Sequence, residues 1–249
     1  MNNNSQHIYG TRAVIEALRA GKTLDRIFIQ KGLNNQLFHE LRKELQGKSV
    51  PYQIVPPEKL NRLSPHKNHQ GVVAMISEII YHKTEDLISN LFETGKVPLI
   101  IILDKVTDVR NFGAVARSAE CAGAHMVIIQ EQGSAPVNAD AIKTSAGALH
   151  RIPVCRERNL KDTIDFLKSS GIKIVACHEK TEALIYNTDL TKPVAIIMGA
   201  EDTGISPEYL KRSDEQVKIP MPGNISSLNV SVAAGIILFE AVRQRINSR

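Results

Sequence analysis

The chain lacks any closely spaced pair of cysteines. Cys121, Cys155 and Cys177 are odd in number, far apart and set among apolar residues. That excludes a disulfide scaffold and a Cys-based zinc site, and it predicts three small buried hydrophobes in a reducing, cytoplasmic setting. Long apolar runs are also missing. The longest candidates, 97–103 and 236–239, fall far short of the ~20 residues that span a bilayer, so no membrane association is expected. The start, MNNNSQH, has no basic region ahead of an apolar core and does not read as a secretory signal. Several signatures of common chemistry are absent too. The sequence holds no G-x-G-x-x-G, no G-x-S-x-G and no recognisable Ser-His-Asp order, which leaves little support for a nicotinamide enzyme or a hydrolase. His66 and His69 share a loop, but no Cys or carboxylate joins them. A zinc site usually needs four ligands, so no metal is expected.

What is present is an ordinary globular composition, 43% hydrophobic and 23% charged, enough for one large domain or two small ones. Its charge is unevenly spread. Residues 1–80 hold 11 Lys and Arg against 6 Asp and Glu, whereas residues 81–249 hold 20 against 20. The whole excess of +5 therefore sits in the first third, beside four of the eight His. A basic module next to a neutral one points to a polyanion such as RNA as partner. The loop 64–71, rich in His, Lys, Asn and Gln, has the side chains for phosphates and base edges.

Periodicity divides the chain at the same place. A helix over 13–20, a strand over 26–30, a helix over 34–45, a strand over 52–55, a proline-started helix over 57–63 and a strand over 72–76 make a small alternating α/β unit. The predicted first domain is 1–78, with a linker at 79–96 that contains a helix from Thr84 to about 92. From 97 to 249 strands and helices alternate: strands at 99–103, 126–129, 152–155, 173–177, 194–198 and 216–219, with helices at 111–122, 140–149 and 159–168. The pattern predicts a parallel sheet covered on both faces. After 219 comes a loop dense in Pro, Gly, Asn and Ser. An apolar run over 230–239 follows, with Ser231 as its one polar residue, so this helix is expected to be buried on every side.

Ligands of open parallel sheets bind beyond the carboxyl ends of the strands. Three strand ends stand out: 104–117 (DKVTDVRNFGAVAR), 199–204 (GAEDTG) and 220–229 (PMPGNISSLN). The second has phosphate-loop glycine spacing without the Lys and Ser/Thr of that loop. Glu201 within it would repel phosphate and suits hydroxyl, amine or sulfonium groups. Asn111 and Arg117 lie six apart on the predicted helix and so do not share a face; Asn111 is expected as the helix cap, with Arg117 deeper.

At these three stretches the sequence resembles the SpoU/TrmH branch of the SPOUT RNA methyltransferases. The resemblance rests on Asn111–Arg117 with Ser118 and Ala119, on 197–201 with Gly204, and on 219–233. It extends to YGTRAVIEAL near the start and to Asn68, His69, Gln70 and Gly71. It implies an L30e-like α/β RNA-binding domain ahead of a parallel-sheet catalytic domain with a C-terminal trefoil knot, and a homodimer packed through the knotted region. The implied reaction moves a methyl group from S-adenosylmethionine to the ribose 2′-hydroxyl of an RNA nucleotide, a guanosine of 23S rRNA in the first reading. The alternatives are a tRNA substrate or a non-catalytic RNA-binding factor in ribosome assembly. Matched to the family's catalytic positions are Asn111, Arg117, Glu201, Ser227 and Asn229. Gly199, Ile219, Met221, Leu228 and Asn229 match cofactor-binding positions, and Arg12, His69, Gln70 and Lys143 are the expected RNA contacts. The chain departs from the family pattern in places: Val109 stands where proline is common, Arg12 where histidine is, and Pro222 and Asn224 vary the loop.

Overall fold

The computed structural model describes residues 7–48, 50–225 and 227–248, and its contacts divide the chain into two compact units. One comprises Met1–Ile80 with Pro136–Ala139, the other Tyr81–Ala135 with Asp140–Arg249.

In the first unit a four-stranded sheet has the order β1-β4-β2-β3, with β1 His7–Tyr9, β2 Leu24–Gln30, β3 Tyr52–Val55 and β4 Val72–Ile76. β2 pairs antiparallel with β4 and parallel with β3. Helices α1 Thr11–Arg19 and α2 Gln36–Leu45 cover one face through Val14, Leu18, Leu41, Ile27 and Ala74. Helix α3 Pro57–Leu63 covers the other through Leu60, on Phe28, Val55 and Val73. Asn35 caps α2 by accepting from the Phe38 N–H.

The second unit is built on a wholly parallel seven-stranded sheet of order β11-β9-β10-β6-β7-β8-β5. Its strands are β5 Tyr81–His82, β6 Leu99–Asp104, β7 Met126–Gln130, β8 Val154–Glu157, β9 Lys173–Cys177, β10 Val194–Gly199 and β11 Glu215–Val217. Strand β6 is buried along its whole length, as expected for a central strand covered on both faces. One face carries α4 Thr84–Glu93, α7 Leu160–Ser169 and α8 Pro207–Leu210, packed through Ile88, Leu91, Leu160, Ile164 and Tyr209 on Ile100, Ile128 and Ile197. Helix α5 Val109–Cys121 and the C-terminal α9 Val230–Asn247 pack along each other and against β7 and β10.

Five expectations need correction. The stretch at 79–96 is not a bare linker, because Tyr81 and His82 form an edge strand on β8 and α4 packs into the core. The helix expected over 140–149 is broken. α6 Ala139–Thr144 stops where Ala146 and Gly147 take positive φ, 50° and 84°, and only a short 3-10 turn follows at Ala148–His150. Cys121 is exposed, unlike Cys155 and Cys177, since it ends α5 on its outer side. Burial pushes the thiol pKa of those two up to about 12. Asn111 is not the cap of α5: Asp108 is, accepting from the Asn111 N–H at 2.8 Å. Finally, α9 is not buried all round. Val230, Ala234, Ile237, Leu238 and Ala241 are buried, but Val232 and Phe239 are each 50% exposed. The apolar residues of α9 therefore outnumber the positions that this chain itself can cover.

Candidate active site

The sheet changes direction at β6. From it the chain runs outward to β7 on one side, and later strands β9 and β10 fill the other. A crevice forms outside the carboxyl ends at such a switch. The chain leaving β6 leads into α5, and the chain leaving β10 forms the 199–204 turn, so the two segments flank one crevice.

The turn is tight because of its glycines. A Cβ on Gly199 would overlap the Gly204 carbonyl group and the Ile205 nitrogen, while Gly204 itself has φ 65°. Gly199 is thus required by the chain's own backbone. The turn leaves Glu201 projecting, and its Oε1 accepts from three donors: the Asn111 amide at 3.2 Å, the Asn229 amide, and the Val230 backbone N–H at 3.2 Å. Asn229 also donates to Asn111 Oδ1 at 2.9 Å. It caps α9 through Oδ1, which accepts from the Ser231 N–H at 3.0 Å and from the Ser231 hydroxyl. Because Asp108 takes the capping role, the Asn111 side chain is free to join this network. Charge and dipole agree here, with a carboxylate set against the N-terminus of the 18-residue helix α9.

Beside the network lies a cavity of about 390 Å³, lined by Gly199, Glu201, Ile219, Met221, Ser227 and Leu228 among others. Four of the five residues expected to hold a cofactor are among these; Asn229 is in the adjoining network. The cavity fits an adenosyl sulfonium compound in size and in kind. Ile205, Leu210, Ile219, Met221 and Leu228 give apolar walls for a base, and the carboxylates of Glu179, Glu201 and Asp202 outnumber the one ammonium, Lys180, around it, which favours a cation. Ser227 lines the cavity and is exposed, and its hydroxyl makes no hydrogen bond with another described residue. Arg117 is exposed on α5, outside the Asn111–Glu201–Asn229 network, and has no hydrogen bond or ion pair to a described residue. The structure therefore unites three of the five expected catalytic residues.

Behind the cavity wall sits a group that sequence reading passed over. Asp104 is fully buried. Its Oδ2 accepts from the Ser206 N–H at 2.6 Å, tying the end of the glycine turn to β6, and its Oδ1 has no partner among the described residues. Lys105 donates to the Ser206 hydroxyl at 3.1 Å. Tyr209 lies close by, its hydroxyl accepting from Gln130 at 2.9 Å. Burial first, then the Asp104 and Glu208 charges, push its pKa up to about 12. The only signal in the sequence was an acidic residue ending an apolar run, which reads as a strand end.

In the first unit, the start of α1 and the 68–71 loop come together. Thr11 donates to the Gln70 carbonyl at 3.4 Å, and the Gly10 N–H donates to Val72 at 3.0 Å. Gln70 is held at φ 46°, its N–H bonded to Asn68 Oδ1 at 3.3 Å. Arg12 and Gln70 are exposed on this one surface. His69 uses both ring nitrogens within the fold. Nδ1 accepts from the Gly71 N–H at 3.0 Å, and Nε2 is 2.9 Å from Asn61 Oδ1. Lys143, in the second unit, is exposed in the last turn of α6.

Comparison with known proteins gives the same picture. Residues 98–239 match the SpoU rRNA methylase family. The chain belongs to this family. Residues 7–82 match a second model, described as RNA 2′-O ribose methyltransferase substrate binding. Among curated SpoU-type relatives, the 23S rRNA (guanosine-2′-O-)-methyltransferase RlmB of Escherichia coli K12 is 38% identical over 97% of this chain and 99% of its own. The protein of that name from Vibrio parahaemolyticus is 36% identical over 99% and 100%. Of solved structures, the SpoU methyltransferase AviRb from Streptomyces viridochromogenes superposes with TM-score 0.62 at 27% identity, covering 98% of this chain and 90% of that one. The AdoMet-bound rRNA methyltransferase from Sinorhizobium meliloti gives 0.59 at 26%, over 95% and 86%.

Proposed function

We propose that this protein is a 23S rRNA guanosine 2′-O-methyltransferase acting in the cytoplasm as a homodimer. The observation that carries the reading is the Asn111–Glu201–Asn229 network at the mouth of an adenosyl-sized cavity. S-adenosylmethionine in that cavity supplies an electrophilic methyl group on a sulfonium. Gly199, Ile219, Met221 and Leu228 hold its adenosine part. Glu201, fixed by its three donors, sets a negative charge toward the sulfonium side. Asn111 and Asn229 keep Glu201 from rotating, and Ser227, with its uncommitted hydroxyl, is placed to touch the substrate ribose.

Arg117 then activates the 2′-hydroxyl. A guanidinium has a pKa above about 12 and is no proton acceptor; it lowers the cost of the developing alkoxide by charge and hydrogen bonding, while the hydroxyl proton passes to solvent water and the thioether leaves. Its exposure and its lack of partners among the described residues suit a group that waits for RNA. Arg12, Gln70 and Lys143 are the RNA contacts, with His69 bracing the loop that carries Gln70. The knot we place in the C-terminal part of the second unit, around the 199–206 turn and α9. The exposed Val232 and Phe239 are the dimer surface, and the first unit is the L30e-like RNA-binding module.

The test is transfer of labelled methyl from S-adenosylmethionine to rRNA from a strain lacking this gene, followed by mapping of the modified nucleotide. Label on a 23S guanosine ribose is expected. Label on a base atom, or on tRNA alone, sinks the assignment.

A further inference from the structure

The first unit holds a groove that no step above uses; Gln30 and Leu33 of its lining lie against Gly71, so one end abuts the 68–71 loop. Strand β3 is the edge of its sheet. Its alternate residues divide between the two faces. Val55 goes under α3, whereas Tyr52 and Ile54 pair in register with Ile27 and Ile29 on the α2 side. Helix α2 covers Ile27 and Ile29 but not the edge, so Tyr52 and Ile54 stay 50% and 60% exposed. The result is a cavity of about 500 Å³ floored by Ile29, Leu45 and Ile54 and walled by Phe38 and Tyr52, with Arg42 and Gln46 at its rim.

Natural edge strands are usually blunted by charge, proline or a cover. β3 is short and lies between Pro51 and Pro56, yet it presents an aromatic and a branched aliphatic side chain. The charges around the groove are equally one-sided. On α2, Glu40 and Glu44 are both taken by Arg19, at 2.8 and 2.9 Å. Arg42 has no hydrogen bond or ion pair to a described residue, and its Cζ lies 6.0 Å from the Phe38 ring centre. Two aromatic rings, an uncommitted guanidinium beside one of them and a side-chain amide form a set that holds an unpaired base: stacking on the rings, hydrogen bonds to the amide, phosphate to the guanidinium.

We propose that this groove receives an unstacked, single-stranded nucleobase of the RNA, with Tyr52 as the stacking platform and Arg42 on the adjoining phosphate. The proposal rests on the reading of this protein as an RNA enzyme. It adds a second anchoring point on the substrate, beside the loop that carries Gln70.

The experiment uses the full chain and a single-stranded 12-nucleotide RNA carrying 4-thiouridine, with a duplex of the same length as control. Photocrosslinks to Tyr52 or Phe38 are expected. Tyr52→Ala is expected to weaken single-strand affinity roughly tenfold, Tyr52→Phe to keep it within about twofold, and Arg42→Gln to flatten its salt dependence. Thermal melting and far-ultraviolet circular dichroism, unchanged in all three, confirm that the first unit folds. Tyr52→Ala binding the oligomer like wild type, with crosslinks confined to the 66–71 loop, overturns the groove and leaves the RNA enzyme intact. Crosslinks from this surface to a ribosomal protein in place of RNA overturn it in favour of a protein partner. No affinity of the wild-type chain for any RNA removes the functional reading itself.

Discussion

Glu201 concentrates more of the site than any other single residue, because one carboxylate oxygen serves as acceptor for the Asn111 amide, the Asn229 amide and the Val230 N–H. Substitution should therefore separate charge from shape. Glu201→Gln keeps an acceptor oxygen and is expected to retain stability within about 0.5 kcal/mol, while cofactor affinity falls by about tenfold for want of the charge. Glu201→Ala leaves those donors without their acceptor and is expected to cost about 1–3 kcal/mol of stability as well as at least about 100-fold in turnover. Chemical denaturation, titration calorimetry and single-turnover methyl transfer measure the three quantities. Equal stability of the two variants would show that the oxygen's partners do not matter. None of these partnerships could be read from spacing, since the residues lie 90, 28 and 118 positions apart. They entered the expected site only through the family resemblance. Arg117 and Ser227 entered the same way, and neither has a hydrogen-bond partner among the other described residues.

At the scale of elements, the pairing of β6 with β7 begins with a histidine. The His125 N–H donates to the Leu99 carbonyl at 2.8 Å, and its ring Nδ1 accepts from the Leu99 N–H at 3.1 Å. Burial above all, then the Lys96 and Arg245 charges, lower its pKa below the ordinary 6.5. A histidine held neutral binds fewer protons folded than unfolded, so stability is whole above pH 6.5 and falls as pH drops from there toward the lowered value. Melting temperature is expected to fall between pH 7.5 and 5.5. The fall should be smaller in His125→Asn, which keeps an acceptor for the Leu99 N–H; an equal fall in both proteins would place the acid sensitivity elsewhere. Element boundaries were legible where residues with special backbones mark them. Strands 52–55 and 72–76 and the helix 57–63 agree with the structure residue for residue, bracketed as they are by Pro51, Pro56, Pro57 and Gly71. The break at Ala146 was hidden because alanine is a helix former and its positive φ comes from the fold around it. The cap of α5 was misplaced because Asp108 and Asn111 are both good capping residues, and their local sequence does not rank them.

For the molecule as a whole, the alternation of elements was enough to predict parallel sheet, but the order β11-β9-β10-β6-β7-β8-β5 was not, since nothing in a strand's own sequence names its neighbour. The exposed apolar residues of α9 carry the dimer proposal at this scale. Phe239→Glu places a charge at a position 50% exposed in the single chain, where folding alone should tolerate it. It is expected to shift the protein from dimer to monomer in sedimentation at micromolar concentration with little change in helix content. A variant that still sediments as a dimer would move the interface elsewhere. The packing of α9 on α5 also bears on birth order. Asn111 waits for a partner made 118 residues later, which at about 5–20 residues per second is on the order of 10 s of synthesis. Until the last helix has emerged, Glu201 has lost two of its three donors and the cavity lacks its 219–233 wall. The site is therefore assembled only when Asn229 and Val230 have packed against the 199–204 turn, and the chain made before them folds a sheet without a finished crevice.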